Sequence, residues 1–155
     1  MPTLEIHLEQ SPDFDLATIL DALEPSACRM HWYFVEFVPE LLVGEDGTRN
    51  TDPPDWVPLL WREIEVGNKP TILAWDKVRQ FARFVLQTDL ALLIGLDSGQ
   101  APPEPIDLND PNLALVVQAL DGYLWAITTQ DASVIKTVQN RFPNAQIVER
   151  TQRYY

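Results

Sequence analysis

The dipeptide Asp121-Gly122 is the sequence feature that most constrains the fold. It separates two runs rich in β-branched, aromatic and other apolar residues, at 113–120 and 123–128. Asp-Gly is favoured in two-residue type I′ turns, which join two antiparallel strands into a hairpin. A hairpin inside the chain, with no glycine-rich turn after the first strand, argues against a uniformly parallel sheet.

The N-terminal part of the chain predicts a strand, a helix and a second strand. Residues 3–9 alternate apolar and polar side chains, which is typical of a strand with one wet face. Asp13 or Asp15 is placed to cap a helix that we expect to end at Pro25. Residues 30–38 are rich in aromatic and β-branched side chains and predict the second strand.

The rest of the chain adds further elements by the same rules. Four prolines and three acids without periodicity make residues 100–112 a predicted long loop. The other predicted elements are a short helix from Pro58, a long helix over 70–88, a strand over 90–96, a helix over 131–142 capped by Asp131, and a last strand over 146–150. We therefore expect one α+β domain over residues 1–155. It is a sandwich on a mixed, partly antiparallel sheet with three to four helices, in the order β-α-β-(α)-α-β-β-β-α-β.

Composition narrows the class of partner. The chain has 155 residues, 46% of them hydrophobic, which is enough for one packed core. Its 23 acidic and 11 basic residues give a formal net charge of −12. A surface of that sign repels phosphate, so neither nucleic acid nor an anionic membrane is expected as a partner. The single cysteine excludes an intramolecular disulfide, and the first residues do not resemble a signal peptide, so we expect a cytoplasmic protein.

The sequence contains no recognisable catalytic motif, so a function other than catalysis is favoured over an enzymatic one. It lacks the phosphate-binding patterns GxxxxGK[ST] and GxGxxG and the nucleophile pattern GxSxG. Cys28 and His31 lie three residues apart and point to opposite faces of an extended chain. A metal site would need the strand bearing His7 to lie beside the strand bearing His31, and same-face residues on one strand are about 6.5 Å apart, too far to chelate one ion. No catalytic residue, cofactor or metal is therefore predicted.

The leading functional hypothesis is an acidic protein-interaction module of inhibitor or immunity type. Residues 1–60 hold 12 acidic and two basic residues, a balance of −10. Such a surface attracts a basic protein partner and speeds the encounter. Tryptophan is enriched among interface anchors. The predicted partner-binding residues are Glu45, Asp46, Asp52, Asp55 and Trp56.

The alternative hypothesis is a small-molecule-binding protein or enzyme that uses a cleft near His31 and Glu36. Glu36 lies within an otherwise apolar strand, where its carboxylate could be desolvated, although pairing with an arginine is the commoner explanation for such an acid. His7 and Tyr33 complete this alternative ligand site. A homodimer, paired through sheet edges or helices, is the third possibility.

Overall fold

A computed structural model of the chain describes residues 2–7, 15–42, 54–67, 69–122 and 124–149. Within these ranges the chain forms seven strands and four helices. In chain order they are β1 (Pro2–His7), α1 (Asp15–Ala27), β2 (His31–Leu42), α2 (Trp56–Val66), β3 (Thr71–Ala74), α3 (Trp75–Ala82), β4 (Val85–Leu96), β5 (Leu115–Leu120), β6 (Leu124–Thr129), α4 (Ala132–Arg141) and β7 (Gln146–Glu149). None of the helices in the described ranges is long and apolar enough to cross a membrane.

The seven strands form one sheet in the order β3-β2-β4-β5-β6-β1-β7. Every neighbouring pair among these described strands is antiparallel. One antiparallel sheet with four helices confirms the α+β class, whereas the expected parallel part of the sheet is not found among the strands that the structure describes. The element order also follows the prediction except for β3, an additional strand. The chain places β1 and β2 far apart, with β4, β5 and β6 between them.

The predicted hairpin is confirmed as β5 and β6. Asp121 and Gly122 both have positive φ angles, 54° and 74°, as a type I′ turn requires. Glycine adopts this conformation without steric cost, and aspartate tolerates it better than most residues. The two strands pair along their whole length, but Leu120 lies opposite Leu124, one position further along the chain than a two-residue turn would place its partner.

The helices pack on one face of the sheet and enclose the main hydrophobic core. The largest side chains that they bury against it are aromatic: Trp32, Phe34, Phe81, Phe84 and Trp125. Phe81 lies edge-on to both Phe34 and Phe37, with ring centroids 6.2 and 5.5 Å away. Edge-on aromatic contacts of this kind add stability beyond the area that they bury.

Helix α1 continues past Pro25, where the sequence predicted its end. The proline removes one backbone donor and normally costs a helix interior about 3 kcal/mol. Here the last turn is held by tertiary packing, because Ala27 is fully buried and its carbonyl accepts a hydrogen bond from the indole N–H of Trp32 at 3.2 Å. Packing therefore overrides the local signal.

The single helix expected over residues 70–88 is wrong. The structure divides this segment into β3, the eight-residue helix α3 and the start of β4. Thr71 and Leu73 are buried and Ile72 is exposed, the period-2 pattern of an edge strand paired with β2. Trp75, Val78 and Ala82 do line one helical face as predicted, but a turn at residues 83–84 ends the helix.

A second, smaller core lies on the opposite face of the sheet. It consists of Tyr33 of β2, of three β4 side chains, of Val116, and of Leu108 and Leu113 from the long segment between β4 and β5. This segment, residues 97–114, is the loop that the sequence predicted around its prolines. It covers part of the face that carries no helix, and the site described next lies at its edge.

Candidate functional site

The predicted acidic site is described only in part. Glu45, Asp46 and Asp52 lie outside the described residues. Asp55 is exposed and immediately precedes α2, whose backbone N–H groups it does not cap with its side chain. Of the acidic set, the structure thus places only Asp55 next to Trp56, and the predicted surface remains a prediction.

Trp56 is held within the fold on two sides. Its ring lies edge-on to Phe84 at a centroid distance of 5.7 Å, and the Lys77 ammonium lies 3.7 Å from the ring centroid. Both partners follow β3 in the chain, so the indole connects α2 to the segment of α3 and β4. A half-buried tryptophan with a cation over its ring contributes to stability through these contacts. Such a side chain is less available as a free anchor for a partner.

The alternative ligand residues His31, Tyr33 and Glu36 share one face of β2, although strict alternation would separate Glu36 from the other two. A β-bulge causes this, because the pairing shifts from Phe34 opposite Leu93 to Glu36 opposite Leu92. Directly opposed residues point to the same face, and Leu92 belongs to the small core that also contains Tyr33.

His7 does not join these three residues. It lies on the same face of the sheet, but β1 is four strands away from β2. Four strand spacings correspond to roughly 19 Å. His7 is paired with Leu124, while His31 lies near the other end of the sheet opposite Leu96. The structure therefore divides the alternative site into His7 and a β2 group of His31, Tyr33 and Glu36.

A cavity of about 470 Å³ opens beside the β2 group. It lies between the start of β3, the N-terminal half of β2 and the proline-rich part of the long loop. Most of the side chains that line it are apolar. The lining residues are Tyr33, Val35, Gly67, Lys69, Pro70, Ile72, Ala101, Pro102, Pro103, Glu104, Pro105 and Ile106. Of the predicted ligand site, Tyr33 lines this cavity, whereas His7, His31 and Glu36 do not.

The cavity wall is anchored at Gln100 and again at Leu108. The Tyr33 hydroxyl donates a hydrogen bond of 2.6 Å to the Gln100 carbonyl, and Leu108 is buried in the small core. Between these two points, residues 101–106 form the outer wall. Prolines restrict φ to about −65° and lower the conformational freedom of such a wall.

Two side chains of opposite charge lie at the rim of the cavity. Lys69 is on the side of β3 and Glu104 on the side of the loop, and both are exposed. Within the described part of the chain, neither takes part in an ion pair. Sequence reasoning missed both residues, because Lys69 belongs to no recognisable motif and Glu104 falls within the predicted loop over residues 100–112. The cluster of prolines around Glu104 was the one available signal for a rigid wall.

The same face of the sheet continues as a polar region away from the cavity. Thr3 and Thr128 are buried and share a hydrogen bond of 2.8 Å between their hydroxyl groups. Two residues further along β1, Glu5 lies opposite Ala126 of β6, and Gln118 of β5 lies opposite Ala126 on its other side. The side chains of Glu5 and Gln118 are both buried. No group of three or more His, Cys, Asp or Glu side chains among the described residues is arranged to hold a metal ion.

Asp131, whose pKa is lowered in the folded protein, lies away from the cavity. Hydrogen bonds from the Ser133 hydroxyl and backbone N–H lower the pKa of Asp131, which caps α4 as predicted. The Ser133 N–H lies 2.8 Å from the Asp131 carboxylate oxygen. This shift reflects helix capping, so Asp131 belongs to the fold and not to the candidate site.

Comparison with known proteins does not assign the chain to a family. No family model, no curated protein and no solved structure matches it. The geometry of the site is therefore the basis of the proposed function.

Proposed function

We propose that this protein binds a small, mainly apolar organic molecule in the cavity between β2, β3 and the proline-rich wall. The cavity volume carries the proposal, since about 470 Å³ lies within the 300–1,000 Å³ range of ligand pockets. Its lining also has the composition of such pockets, with aliphatic, aromatic and proline side chains and a few polar groups at defined positions.

The position of the cavity supports the same function. One wall is a strand of the sheet, and the other is a segment that is anchored at both ends by Tyr33 and Leu108. A site that is formed before the ligand arrives loses less conformational entropy on binding. The Tyr33 ring and Val35 offer apolar surface at the base, and Ile72, which is 57% exposed, offers more at the rim.

A fragment screen with a cavity-filling variant tests the proposal. Substituted benzenes, indoles and cycloalkanes are screened by saturation-transfer-difference NMR against the natural protein and against Ala101→Trp. Ala101 is exposed and lines the cavity, so the indole can occupy the space without entering the core. The matched control is Ala132→Trp, at an exposed alanine of α4 outside the cavity.

We expect several fragments to bind the natural protein and Ala132→Trp, and to lose binding to Ala101→Trp. Thermal unfolding of both variants checks that they are folded. Fragments that bind all three proteins equally would place the site elsewhere. A screen without any binding fragment would also contradict the proposal.

A second candidate function is the acidic interaction module, which the uneven charge distribution favours. The balance of −10 over residues 1–60 attracts a basic protein. In a test, the four carboxylates Glu45, Asp46, Asp52 and Asp55 are changed together to amides, and capture of a lysate partner is compared at about 0.15 and 0.5 M salt. A basic partner that is lost both at high salt and in the variant supports this function, and capture that is insensitive to both contradicts it.

A further inference from the structure

The prolines that line the cavity remove backbone hydrogen-bond donors from its wall. Four of its twelve lining residues are prolines, whose backbone provides a carbonyl acceptor and no N–H donor. The Tyr33 O–H is already donated to the Gln100 carbonyl, so the phenol oxygen can only accept a further hydrogen bond. A ligand that enters such a site should bring donors of its own.

Charge adds to this preference. Glu104 provides a carboxylate on the proline-rich wall, and the whole protein carries a formal net charge of −12. A field of this sign raises the local concentration of cations and lowers that of anions. The Tyr33 ring adds an aromatic surface that can attract a cation.

Lys69 is the one lining residue that opposes a cation. Its ammonium stands on a flexible four-carbon stem and the residue is exposed, so the charge can turn into solvent while the stem stays on apolar surface. The acceptor groups of the prolines have no such freedom. Lys69 therefore opposes a positive ligand weakly, whereas the Glu104 carboxylate and the proline carbonyl groups favour one.

We infer that the ligand of this cavity is an amphipathic organic cation, a small molecule with an apolar body and one amine. The apolar body lies against Tyr33 and Val35, and the amine lies toward Glu104 and the carbonyl groups of the proline-rich wall. This inference rests on the proposed function, because it names the chemical class of the molecule that the cavity binds.

Three probes of nearly equal shape test the inference: 3-phenylpropylamine, 3-phenylpropan-1-ol and 3-phenylpropanoate. Their dissociation constants are measured by calorimetry and by ligand-detected NMR for the natural protein. The same measurements are made on Glu104→Gln, on Lys69→Gln and on the control Glu24→Gln, an exposed residue of α1 outside the cavity. The control changes the net charge by the same amount as Glu104→Gln.

We expect the amine to bind most tightly and the carboxylate most weakly. Glu104→Gln should weaken amine binding about two- to five-fold more than Glu24→Gln does, the range of an exposed ion pair. Lys69→Gln should strengthen amine binding, and the preference for the amine should fall at high salt.

Tighter binding of the carboxylate, or equal binding of all three probes, would overturn the inference while leaving a ligand-binding cavity in place. Failure of every probe and of every fragment in the preceding screen would overturn both proposals. The dipeptide acetyl-Phe-Lys-amide carries the same chemistry on a polypeptide. If it binds more tightly than 3-phenylpropylamine, the source is a basic protein segment and the small-molecule assignment is wrong.

Discussion

The indole of Trp32 lies directly over Gly95, its partner across strands β2 and β4. A Cβ atom at position 95 would lie 3.1 Å from two carbons of the indole and 2.9 Å from the Met30 sulfur. The φ angle of Gly95 is not positive, so its backbone conformation does not require glycine. Glycine is needed at this position because a large side chain packs closely against it. Trp32 cannot easily move aside, since it is fully buried and its N–H is bonded to Ala27.

Gly95→Ala should therefore destabilise the fold by overpacking. We expect a loss of about 1–3 kcal/mol in the free energy of unfolding, measured by urea denaturation. A double-mutant cycle with Trp32→Phe provides the control, because phenylalanine lacks the two indole carbons that the new methyl group would meet. In the Trp32→Phe background the cost of Gly95→Ala should become small. If Gly95→Ala costs the same free energy in the Trp32→Phe background, contact with the indole does not cause the destabilisation.

Asp131 should make the stability of α4 dependent on pH. Its pKa is lowered in the folded state by the hydrogen bonds from Ser133, so the capping contribution is present above the ordinary carboxyl pKa. It is lost as the pH falls through the lower pKa of the folded state. We expect Asp131→Ala to lose about 0.5–2 kcal/mol at pH 7.

Asp131→Asn isolates the titration, since the amide oxygen can still accept the cap hydrogen bonds but carries no ionisable proton. Urea midpoints of the natural protein and this variant, measured between pH 7 and 3, should converge as the pH falls below about 4. A constant difference over this range would contradict the role of the carboxylate charge.

The Tyr33 hydroxyl should control the order of the cavity wall more than the stability of the whole protein. Gln100 is exposed, so water can replace the phenol once Tyr33→Phe removes the donor, and we expect a loss of at most about 1 kcal/mol. Hydrogen exchange in residues 97–114 should become faster, while exchange in the β5–β6 hairpin stays the same. Equal acceleration in both segments would indicate global destabilisation instead.

Elements that are specified by neighbouring residues were predicted well from the sequence. The β5–β6 turn has Asp121 and Gly122 at its positive-φ positions, and α4 begins where the Asp131 side chain accepts a hydrogen bond from the Ser133 N–H. In each case the two residues that specify the element lie within three positions of one another in the chain. Turn and cap chemistry therefore identified both elements without knowledge of the rest of the fold.

Features that only a distant partner specifies, with no clear local pattern of their own, were not predicted. β3 has only four residues, and its apolar positions also fit the helical stripe that continues through Trp75. Pairing with β2 decides its conformation, and the sequence pattern contains no sign of that pairing. The cavity has the same origin, because Tyr33, Lys69 and the wall at 101–106 come together only in the folded sheet. The bulge after Phe34 likewise turns Glu36 to a face that alternation does not predict.

Arg79 should contribute more to the packing of α1 against α3 than its ion pair suggests. Its guanidinium lies 2.5 Å from the Asp21 carboxylate, donates a hydrogen bond to the Ala17 carbonyl at 3.4 Å, and lies over the Trp75 ring. Asp21 is more than half exposed, so Asp21→Ala removes a screened surface pair and should cost less than about 1 kcal/mol. Arg79→Ala removes all three contacts and should cost clearly more in urea denaturation. Equal costs would show that the ion pair alone matters.

The stability of a Trp56 variant shows whether this tryptophan is a structural residue or an interface anchor. Because its ring contacts Phe84 and lies under Lys77, Trp56→Ala should lower the free energy of unfolding by about 2–4 kcal/mol through lost packing. Lys77→Met removes the cation but retains a long apolar side chain, so it should cost no more than about 1 kcal/mol. Both values are measured by urea denaturation of the isolated protein. If Trp56→Ala leaves the stability unchanged, the indole is free to serve a partner and the interface prediction gains support.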